Sequence, residues 1–83
     1  MKQKLVDVEE RRTPEEIGAF LMEIGRKLKE DGRFDLVHGG ESYDIAPTGE
    51  VELEIQYKTK GEKHKFELEI QWKPGSQGGV KIE

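Results

Sequence analysis

The sequence predicts an α+β domain with one amphipathic helix packed on a single antiparallel sheet of four to six strands, in the order β-α-β-β-β-β. Three observations carry this. Apolar residues recur at helical spacing between Thr13 and Gly32, they alternate with period two from Arg33 to Trp72, and Gly-Gly or Lys-Gly steps separate the alternating runs.

The helix is expected over 14–31. Thr13-Pro14-Glu15-Glu16 reads as its start: Thr13 caps the N3 amide, Pro14 fits the first turn, and Glu16 reaches back to complete a capping box. Ile17, Phe20, Leu21, Ile24 and Leu28 draw one apolar stripe, and Gly32 is placed to end the helix in a left-handed cap. Glu15 and Glu16 complement the positive helix end, as Arg26, Lys27 and Lys29 do the negative end. Gly18 and Gly25 interrupt this pattern, each costing roughly 1 kcal/mol of helix propensity relative to alanine. Close approach of the helix backbone to a sheet is the expected reason, in preference to a hinge.

A meander is expected over 33–73. A two-residue turn at Gly39-Gly40 sets Leu36 opposite Tyr43 and Phe34 opposite Ile45, all on one face. After Pro47-Thr48-Gly49, Val51, Leu53, Ile55 and Tyr57 alternate with Glu50, Glu52, Glu54 and Gln56. A turn around Lys60-Gly61 leads to Phe66, Leu68, Ile70 and Trp72, alternating with Lys65, Glu67, Glu69 and Gln71. The register of this second hairpin is open by two residues, but the faces are the same in either choice. The ends are weaker: an edge strand over 4–10 around Val6 and Val8, a flexible stretch at 74–79, and a short edge strand at 80–82.

An 83-residue chain accommodates one domain, 1–83. The absence of cysteine excludes disulfides, thiolate zinc sites and Cys nucleophiles. The longest apolar run is Ala19-Phe20-Leu21-Met22, so no membrane span, no signal segment and a cytoplasmic address are expected. A net charge of −4 argues against general DNA coating.

The capped helix, the Gly-Gly hairpin and the paired acidic-apolar strands ending in Phe66-Glu-Leu-Glu-Ile-Gln-Trp72 resemble the small prokaryotic amphi-Trp domain proteins. The resemblance runs from about Arg12 to Lys73, with Trp72 its most diagnostic residue. It implies a fold and a stand-alone small protein. It implies no activity and no active-site residues, because the family is functionally uncharacterised.

No catalytic residue, metal site or cofactor is expected from the residues themselves. Ser42 and Ser76 lie outside any nucleophile elbow, and nothing couples either one to His38 or His64. Two isolated histidines are too few for zinc. Glu52, Glu54, Glu67 and Glu69 share the outer face of the second hairpin. They could attract a hard cation, although a sheet face presents ligands from one side only, and a solvated, aggregation-resistant face is the preferred reading.

Charge is also polarised: residues 58–83 carry six Lys against four Glu, and residues 33–57 one Arg against six acids. If the strands meander, the second turn, the first turn and the helix N-terminus share one end of the sheet. Arg11, Arg12, Lys58, Lys60, Lys63, His64 and Lys65 would meet there, with His38, as an anion site. Glu9, Glu10, Glu15, Glu16, Glu41 and Glu62 offset that charge. The function expected is therefore a small non-enzymatic interaction or accessory domain with a protein partner, and nucleic acid or another anion at the lysine tip is the alternative. Pairing of a sheet edge into a homodimer is also considered.

Overall fold

The computed structural model describes residues 3–73. The chain divides into two compact units, Met1–Ala46 and Pro47–Glu83. The stretches expected to be flexible at 74–79 and to form a strand at 80–82 lie outside the described residues.

Helix α1 spans Pro14–Asp31 in the first unit. Its start is the capping box that the sequence predicts: the Glu16 amide donates to Thr13 Oγ1 at 3.1 Å, and the Thr13 amide donates to Glu16 Oε1 at 3.1 Å. Two otherwise orphaned donors are thereby satisfied. At the other end Gly32, at φ 72°, donates its amide to the carbonyls of Lys27 and Leu28. Arg26 ties the polar face together, bridging Glu23 at 2.7 Å and Glu30 at 3.1 Å, one turn away on either side.

Strands β1 (Phe34–His38) and β2 (Glu41–Ile45) follow as an antiparallel hairpin. Leu36 stands opposite Tyr43 and Phe34 opposite Ile45, as expected. Gly39 and Gly40 both have positive φ, 61° and 80°. A two-residue turn that follows the twist of its strands needs that combination, which side chains resist. Phe34, Leu36, Tyr43 and Ile45 are half-buried, and α1 packs on this hairpin through β1.

The second unit is a longer hairpin of β3 (Val51–Lys60) and β4 (Lys63–Trp72). Its register, left open by the sequence, places Val51 opposite Trp72, Leu53 opposite Ile70, Ile55 opposite Leu68 and Tyr57 opposite Phe66. All eight share one face.

Three expectations are corrected. The described strands form two sheets of two strands each, β1-β2 and β3-β4, and not a single sheet of four to six. Between β2 and β3 the chain runs through 46–50 without regular structure, and Pro47 there has no N–H to give to a ladder. Secondly, no strand forms over 4–10. Two valines supply too little alternation to hold a strand without a partner. Thirdly, nothing lies within 4 Å of a Cβ built at Gly18 or Gly25. Within this unit the helix glycines are therefore not explained by a close approach of the β1–β2 hairpin.

Candidate functional site

Alternation along β3 and β4 sorts the predicted charged residues onto one face of the second hairpin, opposite its apolar face. Lys58 stands across from Lys65 and Lys60 across from Lys63, so the lysine quartet is brought together as two directly opposed pairs. Glu54 stands across from Glu69, Glu52 across from Gln71 and Glu67 across from Gln56. Each side of this face therefore runs from acidic to basic along its length.

Glu67 is the junction. Its carboxylate meets Lys65 Nζ at 3.3 Å and Lys58 Nζ at 3.6 Å. The hydrogen bond and charge of Lys65, then those of Lys58, hold the Glu67 carboxyl below the usual carboxylate range. Lys60 and Lys63 form no ion pair among the described residues. Glu54 accepts a hydrogen bond from the Gln56 amide. The four carboxylates named as a cation site are thus strung along two strands, and no group of three or more His, Asp or Glu among the described residues could hold a metal ion.

His64 does not join the lysines. Alternation turns it to the apolar face beside Tyr57, where Tyr57 Oη and His64 Nδ1 are 2.7 Å apart. The two rings are stacked, with centroids 6.1 Å apart and planes at 15°. The sequence reading missed this pair, although the same alternation that places Tyr57 with Phe66 predicts it.

Arg11 and Arg12 belong to the first unit, on the irregular segment before α1. Arg12 is engaged locally: its Nε donates to Glu10 at 2.9 Å, and its guanidinium lies 3.6 Å from Glu16. Together with His38 it borders an open groove of about 530 Å³, whose apolar wall includes Val6, Val8, Phe20 and Leu36. The groove exists because the segment expected as a strand instead runs beside the helix as irregular chain. Also unforeseen is the Arg33–Asp44 pair, where Arg33 Nε donates to Asp44 Oδ1 at 3.0 Å across the β1–β2 hairpin. That hydrogen bond, and secondarily the guanidinium charge, holds the Asp44 carboxyl below its ordinary range.

The model of the amphi-Trp domain family matches residues 1–83, the whole chain. The chain belongs to the amphi-Trp domain family. No curated protein and no solved structure matches it. Trp72, singled out from the sequence as the residue most typical of amphi-Trp proteins, closes the apolar face of the second hairpin opposite Val51. No helix among the described residues is long and apolar enough to cross a membrane.

Proposed function

We propose that this amphi-Trp protein is a small interaction domain that works by surface contact with a protein partner, not by catalysis. The observation that carries this reading is the apolar face of β3–β4. Four cross-strand pairs of large side chains lie side by side, and Leu53, Tyr57 and Phe66 are each more than 60% exposed, at 61%, 64% and 64%. A contiguous apolar surface rimmed by charge is the usual mark of a contact site. The polar groups support contact over turnover: His64 is tied to Tyr57, Arg12 to Glu10 and Glu16, and Glu67 to two lysines.

An environment-sensitive apolar dye tests the reading directly. The unmodified chain is expected to brighten the dye, and Leu53→Asp, which places a charge in the middle of the face, to reduce that signal. A dye-silent wild-type chain overturns the proposal. So does a specific chemical turnover abolished by His38→Ala or His64→Ala.

The opposed lysine pairs favour a second reading, an anion or nucleic-acid contact at the tip of the same hairpin. Lysines held directly opposite one another repel, and a phosphate backbone would relieve that repulsion. Binding of short RNA or DNA that weakens with salt, and weakens further when Lys60, Lys63 and Lys65 become Ala, supports it. Unchanged affinity in the triple variant ends it.

A further inference from the structure

We infer that the outer edge of β3 is a self-recognition site, pairing antiparallel with β3 of a second copy of this chain about Gln56. The reason is the order of charge along the strand. Its polar face runs Glu52, Glu54, Gln56, Lys58, Lys60, changing sign at the middle. Turned end for end, the row is its own complement. A two-fold axis at Gln56 sets Glu52 against Lys60 of the second copy and Glu54 against Lys58 of the second copy, and the symmetry repeats both contacts. On the apolar face the same register sets Leu53 against Thr59 and Ile55 against Tyr57 of the other copy. Isologous pairing of this kind closes on a dimer and does not propagate.

The strand is suited to the task. Among the described residues β3 pairs with β4 alone, and it contains no proline. The Gly61-Glu62 turn makes Lys60 and Lys63 the hydrogen-bonding pair next to it, so by alternation Leu53, Ile55, Tyr57 and Thr59 direct their N–H and C=O groups out of the far edge. Charged residues then fall at the narrow positions of the new seam, where Cα atoms approach to about 4.5 Å and side chains are closest.

Inside the hairpin the arrangement is the reverse. Glu54 opposes Glu69, Lys58 opposes Lys65 and Lys60 opposes Lys63, so three of the five pairs on the polar face set like charges opposite one another. Such pairs are mildly destabilising. Pairing at the β3 edge sets each of these β3 charges beside an opposite one. The β4 edge also changes sign along its length, but two of its four charges, Lys65 and Glu67, are already ion-paired there, against Lys58 alone of the four on β3 among the described residues. The inference does not depend on the apolar face: edge pairing leaves that face uncovered, so dye binding and dimer formation are separate readouts.

The test is the mass of the full chain by sedimentation equilibrium over a concentration series at low salt, with circular dichroism as a check of fold. Glu54→Lys and Glu69→Lys each remove the same like-charge pair within the hairpin, but only Glu54→Lys creates repulsion at the proposed seam. The wild type is expected to dimerise, more weakly as salt rises. Glu54→Lys should weaken the dimer by about tenfold, whereas Glu69→Lys and the exchange Glu54→Lys/Lys58→Glu should stay within about threefold of wild type. A chain that remains monomeric, a dimer indifferent to Glu54→Lys, or equal losses in Glu54→Lys and Glu69→Lys would each overturn the inference.

Discussion

The two hairpins are written in the same pattern and finish in different surroundings. In β1–β2, Phe34, Leu36, Tyr43 and Ile45 are half-buried, and their unit contains a helix whose Phe20 and Ile24 border the same small cavity of about 100 Å³ as Phe34 and Leu36. In β3–β4 the apolar face is twice as long, at eight residues against four, yet among the described residues its own unit contains no element besides the two strands. Alternation specifies which side of a strand is apolar. Cover for that side has to come from another element, and among the described residues only the first hairpin has one within its unit. An isolated two-stranded hairpin is marginal at best, so the second unit depends on whatever contacts its face or edge.

Truncation should separate the two hairpins most clearly. Phe34→Ala removes a half-buried ring packed near the helix and should cost about 1–2 kcal/mol, part of what a fully buried phenylalanine would lose. Leu53→Ala, on the exposed face, should cost less than about 0.5 kcal/mol. Urea unfolding of both variants at equal chain concentration, below any dimer transition, makes the comparison. Equal losses would mean that the longer face is covered as well as the shorter one, which erases the distinction.

The helix glycines give a smaller effect of opposite sign. Each of Gly18→Ala and Gly25→Ala should raise stability by about 0.5–1 kcal/mol, because a Cβ at either position meets nothing within 4 Å and the helix gains propensity. A loss in either variant would reveal a tight approach to the helix backbone. It would then restore the reason first suggested by the sequence for keeping glycine there.

These outcomes bear on what was legible in the chain. Local rules were enough for the Thr13–Glu16 capping box, the Gly32 cap and the Gly39-Gly40 turn, because each involves neighbours within a few residues. The Leu36–Tyr43 register followed once the turn length was known. The number of strands in a sheet was not legible in the same way. Alternation fixes faces and not neighbours, and whether β2 continues into β3 depends on the irregular 46–50 connector. Lys58, Lys60, Lys63 and Lys65 came together because they share one hairpin, whereas Arg11, Arg12 and His38 belong to the other unit. His64 was misplaced for a simpler reason, since the parity that puts Lys63 and Lys65 outward puts the residue between them on the other face.

The smallest expected effect concerns the Arg33–Asp44 pair, which fastens the base of the first hairpin and, among the described residues, has no counterpart joining β3 to β4 at the corresponding Val51–Trp72 end. Its carboxyl titrates below the ordinary range because Arg33 hydrogen-bonds to it. A carboxyl whose folded pKa is depressed contributes stability that is fully present above the unfolded value, near 4, and that disappears as pH falls through the folded value. The difference in stability between wild type and Asp44→Asn should therefore be constant around neutrality and shrink below about pH 4. Glu23 and Glu67 titrate low for the same kind of reason, beside Arg26 and Lys65. The total acid dependence of the protein is thus a sum, and only the difference between the two chains isolates Asp44. Since the pair is exposed, added salt should reduce that difference at neutral pH. A difference that grows on acidification would show that the carboxyl is held in its neutral form, and that the pair does not secure the hairpin as an ion pair.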